Sequence, residues 1–174
     1  EMENLEEMEI HRFDWQVAKG LIRKKSLILL FLQGFFGVFP WQVITYWFFR
    51  YLETERGYDT NEVMVTMVFA ILAMSIGYVS GGVLGDALFK RTRRGRIIVA
   101  ATGVLLGALF LVLAVFVPEQ NRLLFGILVA AASLFMPFPT SNVIASVFDI
   151  TLPEVRSSAL AIQYLMDSSG AALA

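Results

Sequence analysis

Long apolar runs alternate with short polar loops along this chain. Four runs are complete, over 26–49, 63–85, 97–117 and 123–148, and a fifth begins near 153 and continues to 174. A bilayer's hydrocarbon core takes about 20 apolar residues of helix. Each complete run is long enough, and none carries a charged side chain in its interior. The pattern predicts an all-α membrane protein. Residues 26–174 form four full transmembrane helices plus the start of a fifth, and residues 1–25 form a charged segment before them.

The runs differ in ways that bear on function. Gly34, Gly37 and Pro40 interrupt the first, and Gln33, Trp41, Gln42, Thr45 and Tyr46 give it polar points. Pro40 lacks a backbone donor and predicts a kink. Such a break is tolerated in a bilayer where protein or a water-filled cavity satisfies the freed groups. Gln42 and Thr45 fall within roughly 60° on a helical wheel, and Trp41 and Thr45 within roughly 40°. That polar-aromatic face could line a solute path; the structural alternative is that the glutamines hydrogen-bond neighbouring helices. The fourth run has Pro137 and Pro139 at its centre, followed by Thr140, Ser141 and Asn142, so a second broken, polar helix is expected there. In the second run Gly77, Gly81 and Gly85 share a face and predict close approach to another helix. Gly103 and Gly107 repeat the device in the third run, which is otherwise apolar and reads as peripheral and lipid-facing.

Composition agrees. Of 174 residues, 57% are hydrophobic and 17% charged, against about 25% charged in soluble domains. With no cysteine, disulfides and thiolate metal sites are excluded. His11 lies in a charged segment and reads as solvated. No basic face is interleaved with aromatics, so no nucleic-acid partner is expected. No Ser/His/Asp set, metal-ligand spacing or phosphate loop is present, so catalysis, metals and cofactors are not expected either.

The charges set orientation. Lys90, Arg91, Arg93, Arg94 and Arg96 crowd one loop. With residues 1–25 and 149–158 placed on the same side, that side holds eleven Lys and Arg; the other holds Arg50, Arg56 and Arg122. Positive loops stay cytoplasmic, which puts residue 1 in the cytoplasm. The first 26 residues are acidic and then basic, unlike a secretory signal. Residues 15–25 suit a short interfacial helix or a plain helix extension. The chain begins at Glu1 and stops inside an apolar pattern, which reads as a segment of a longer protein. Thr151 with Glu154 fits a capping box, with Pro153 in the first turn. Asp167 falls about 20 Å along the last helix. A carboxylate there faces a cavity or a partner, which makes it a candidate for ion coupling; a wet vestibule is the plainer alternative.

Two loops carry a resemblance. Gly82-Val83-Leu84-Gly85-Asp86, followed later by Gly95-Arg96, resembles the signature G-x-x-x-D-(R/K)-x-G-(R/K)-(R/K) of the major facilitator superfamily of secondary transporters. Ala87 departs from the basic residue at that position, and the glycine-basic step comes late. Pro153-Glu154-Val155-Arg156-Ser157 resembles the turn before the fifth helix of a half in the same family. The resemblance implies one half of a twelve-helix transporter. The degraded signature points to helices seven to eleven of the C-terminal half, and the aromatic-rich first span resembles Spinster-type members; helices one to five of the first half are the alternative. It implies partners: the lipid bilayer, the other six-helix half and a small-molecule solute. It implies a cavity lined by Gln33, Trp41, Gln42, Thr45, Tyr46, Thr140, Ser141 and Asn142. It also implies a conformational latch of Gly82, Asp86, Arg94, Gly95, Arg96, Glu154 and Arg156, with Arg156 a candidate pair for Asp86. The implied location is the plasma (inner) membrane. A non-transporting membrane scaffold is the competing class of function.

Overall fold

The computed structural model describes residues 20, 21 and 23–174. The expectations placed on residues 1–19, His11 among them, lie outside the described residues. The described elements are helical: α1 Lys25–Thr54, α2 Thr60–Phe89, α3 Gly95–Val115, α4 Arg122–Phe135, α5 Phe138–Ile150, a 3-10 turn Pro153–Val155, and α6 Arg156–Leu173. Four segments are long and apolar enough to cross a membrane: α1, α2, α3, and α4 with α5 taken together. Large apolar side chains such as Leu29, Phe69, Val79, Leu105 and Ile127 are exposed. Water would penalise such a surface and lipid does not.

The two proline sites behave differently. α1 runs through Pro40 without interruption, although the proline leaves the Phe36 carbonyl without its usual donor. The fourth span breaks. α4 ends at Phe135, α5 starts at Phe138, and the Thr140 N–H returns to the Pro137 carbonyl at 3.1 Å. Here two prolines two residues apart each remove a donor, and one helical ladder cannot absorb both.

The chain divides into two compact units, residues 40–146 and residues 1–39 with 147–174. In the first, the glycine face of α2 meets the break between α4 and α5. A Cβ added at Gly77 would press on the Leu134 carbonyl and lie 2.7 Å from Pro137 Cγ; one at Gly81 would lie 2.9 Å from Phe138 Cα. Gly103 on α3 packs against the Phe138 side chain and Gly107 against Met136. Beyond its last turn, α3 buries only glycines: Gly95, Gly103 and Gly107. Helices in lipid have no hydrophobic drive to associate, so close backbone packing of this kind holds them.

At one end of this unit the α1–α2 loop folds into a small core. Gly57, with φ 62°, reverses the chain, and the Tyr58 N–H returns to the Leu52 carbonyl at 3.0 Å. That left-handed φ favours glycine. Leu52, Tyr58, Val63, Ala114, Val117, Phe125 and Val129 cluster there. Phe125 stacks on Phe48 at 6.3 Å and meets Tyr58 edge-on at 6.1 Å. Asp59 and Glu62 form a capping box at the start of α2, which ties off two amide groups that the helix leaves unpaired.

In the second unit Leu27 and Phe31 of α1 pack with Val147 and Ala159. The capping box expected of Thr151 and Glu154 does not form. Thr151 is buried and its hydroxyl donates to the Val147 carbonyl at 2.7 Å. No side chain caps the turn that begins at Pro153. The hydroxyl has a carbonyl one helical turn behind it, and that partner prevails over the amide ahead.

Candidate functional site

Asp86 stands in the last turn of α2, where its charge opposes the negative end of its own helix. The following helix supplies the partner. Arg96, in the first turn of α3, donates to Asp86 Oδ1 from Nη2 at 2.8 Å and from Nε at 3.1 Å. Its Nη1 donates to the Ala145 carbonyl on α5 at 3.4 Å, and its guanidinium lies 4.3 Å from the Phe89 ring centroid. One arginine therefore joins the end of α2, the start of α3 and the body of α5. Gly95 permits this turn, because a Cβ there would strike the Leu88 and Phe89 backbone. Arg94 is exposed and makes no side-chain cap. Arg156, in the other unit, donates to the Phe148 carbonyl at 3.3 Å, and Glu154 is exposed.

The polar points of α1 form a stripe. Gln33, Gly37, Trp41 and Thr45 follow one another at four-residue steps, and all four are exposed. Neighbours at that spacing stack along one side of a helix with a slow drift. Thr45 Oγ1 donates to the Trp41 carbonyl at 2.8 Å, which satisfies it within the helix. The Gln33 amide has no hydrogen-bond partner among the described residues. Tyr46 is highly exposed and Gln42 is half-buried.

The three polar residues after the α4–α5 break separate. Thr140 is exposed. Ser141 faces Gly82, and its Oγ is buried without a partner among the described residues. Asn142, expected on a solute-lining surface, is only 2% exposed. Its Nδ2 donates to the Gly81 carbonyl at 2.9 Å and to the Phe138 carbonyl at 2.8 Å, while its side chain fills the space over Gly85. Both amide protons are taken, so Asn142 joins α5 to α2 and lines no accessible surface in this conformation. The helix break that was read as a sign of a cavity also aims this amide at the glycine face of α2.

On α6, Gln163 Nε2 donates to Asp167 Oδ1 at 2.9 Å. The pair lies against Gly34 of α1, where a Cβ would collide with both side chains, and Gly170 lies against the Phe35 backbone. Gln163 is 2% exposed and its Oε1 has no partner among the described residues. Gln163 is absent from the candidates named from sequence, although its place four residues before Asp167 is the spacing of helical side-chain partners.

Arg56, in sequence one loop charge among several, has a structural place of its own. It is 5% exposed. Its Nη2 donates to the Ala114 and Val115 carbonyls at 2.9 and 3.3 Å, and its Nε donates to the Tyr51 hydroxyl at 3.1 Å. Its guanidinium sits 4.1 Å from the Phe125 ring centroid. A cation at the last carbonyls of α3 suits the negative end of that helix. Nearby, Arg122 pairs with Glu62 and lies 5.0 Å from the Tyr58 ring centroid. Burial raises the Tyr58 phenol above its ordinary pKa, and Arg56 and Arg122 lower it by a smaller amount.

Four apolar spans, helices joined through glycine, and an arginine-carboxylate joint at the end of a helix pair define a multi-pass integral membrane protein. The description "Major Facilitator Superfamily" matches residues 2–174. The chain belongs to that superfamily, and it is a transporter of that kind in the membrane. No curated protein and no solved structure matches it.

Proposed function

We propose that this chain contributes helices seven to eleven of a twelve-helix secondary transporter, which moves a small solute by alternating access between its two halves. The carrying observation is the exposed stripe Gln33, Gly37, Trp41, Thr45 on α1. An amide without a protein partner costs several kcal/mol in hydrocarbon, about 4–8 by water-to-cyclohexane transfer. A helix that presents one within its span does so toward water, solute or another helix bundle. The proposed lining set is Gln33, Trp41, Gln42, Thr45, Tyr46 and Thr140. Asp167, held by Gln163, is the candidate for ion coupling. The Asp86–Arg96 joint, with Gly82, Gly95, Arg94, Glu154 and Arg156, is the candidate latch. The basic loop and residue 1 are assigned to the cytoplasmic face of the plasma membrane.

Cysteine accessibility tests the lining set. In the complete transporter, with any cysteine elsewhere replaced, single cysteines at Gln33, Tyr46 and Thr140 should react with a hydrophilic thiol reagent, and bound solute should slow the reaction. A cysteine at Leu105, on the outward face of α3, should not react. If the Gln33 and Thr140 cysteines stay unreactive in every condition, the cavity reading fails and the scaffold reading gains.

A further inference from the structure

The loop between α2 and α3 and the first turn of α3 hold five cations, and the joint described above uses one. Arg96 serves Asp86 and is only 16% exposed in its side chain. Lys90, Arg91, Arg93 and Arg94 remain exposed, and none reaches a carboxylate among the described residues. They stand within five consecutive residues, on a turn fixed by Gly95 and by the Thr92 and Arg91 amides that return to the Leu88 carbonyl at 2.9 and 3.0 Å. So a short, ordered turn presents the four charges together.

What lies beside the turn sets its depth. On α2, Val83 and Leu84 are exposed; on α3, Ile97 and Ile98 are exposed. These are the last large apolar side chains exposed before the loop and the first exposed after it, with the half-buried Leu88 and Phe89 between Leu84 and Lys90. Six residues of helix from Leu84 to Lys90 rise about 9 Å, the step from acyl chains to headgroups. The cations therefore sit at the level of lipid phosphates rather than out in water. Long basic side chains at that level reach for phosphate while their stems stay against apolar surface.

We propose that Lys90, Arg91, Arg93 and Arg94 form a docking surface for the headgroups of anionic phospholipids in the leaflet that this loop faces. The four charges act as a cluster, through charge and not through a shaped pocket. Each basic residue near an anionic surface strengthens the attraction about fivefold, and added salt weakens it. The proposal is independent of which solute is carried and of which half the chain forms.

The test is lipid selectivity of the complete transporter. It is reconstituted in phosphatidylcholine with a minor share of spin-labelled phosphatidylglycerol or spin-labelled phosphatidylcholine, and the motionally restricted fraction of each is compared. The wild type should select phosphatidylglycerol. The K90Q/R91Q/R93Q/R94Q variant should lose most of that preference, and raised salt should reduce it in the wild type. The R91K/R93K/R94K variant keeps the charge and should keep the preference. The Asp86–Arg96 joint is left intact throughout, and single R93Q and R94Q variants, each expected to give a partial loss, stand in if the multiple variant is recovered poorly. Equal selectivity in wild type and charge-neutralised variants overturns the proposal, as does loss of selectivity in the lysine variant. Unchanged lipid selectivity with binding of a soluble acidic protein to the wild-type loop alone would overturn it in favour of a protein partner.

Discussion

Gly81→Ala probes the packing that holds α2 to the α4–α5 break. The new Cβ would lie 2.9 Å from both Phe138 Cα and Cδ1 and 3.0 Å from Cγ. Ordinary contacts begin near 3.4 Å, so the helices must part by about half an ångström. One of the three atoms is backbone and cannot swing away. Parting also stretches the 2.9 Å bond from Asn142 Nδ2 to the Gly81 carbonyl. Overpacking of this kind costs about 1–3 kcal/mol. Against it stands the gain of alanine over glycine in a helix, about 1 kcal/mol. Gly126→Ala, on α4, supplies the control: nothing lies within 4 Å of its added Cβ, so it keeps the gain without the clash. The propensity term is common to both variants and cancels in the comparison. Gly81→Ala should therefore be less stable than Gly126→Ala by about 1–3 kcal/mol. Reversible unfolding of the complete transporter in mixed micelles, titrated with sodium dodecyl sulfate and followed by far-UV circular dichroism, measures the difference. A Gly81→Ala variant as stable as Gly126→Ala would refute the close packing of α2 on Phe138.

Two further predictions concern the α1–α2 loop. Arg56→Met keeps the bulk near Phe125 but takes the guanidinium from the Ala114 and Val115 carbonyls; Ala114 keeps the Val117 N–H at 3.2 Å, while Val115 loses its side-chain donor. The change should cost about 1–3 kcal/mol in the same assay; no loss would mean that the Val115 carbonyl does not rely on Arg56. Tyr58 buries its hydroxyl without a hydrogen-bond partner among the described residues, so Tyr58→Phe should be neutral or stabilise by about 1 kcal/mol. Because its folded-state pKa is raised, the neutral phenol is the form that the fold accepts. The stability tied to Tyr58 is then full below pH 10 and is lost as pH rises past 10 through the folded value. Tyr58→Phe should flatten that alkaline decline relative to the wild type, and an unchanged decline would exclude Tyr58 as its source.

The helices, their number and their solvent were legible in the order of residues. Runs of about twenty apolar residues carry that information locally, since in lipid a helix must satisfy its own backbone. The glycine face of α2 was legible for the same reason: a four-residue step is a property of one helix. The break at Pro137 was readable too, because a missing donor is local. Partners were not readable. Asn142 looked the same in sequence whether it faced a solute or Gly81. Arg56 looked like one loop charge among several, until folding set it over Phe125 at the end of α3. Thr151 had an amide ahead and a carbonyl behind, and nothing in its neighbours said which would win. A hydrogen bond across sixty residues depends on which helix faces meet and at what height. The sequence by itself determined which faces could approach closely, through where it leaves out side chains. Only the tertiary structure decided which polar group fills each gap, because that choice is made by distances between helices.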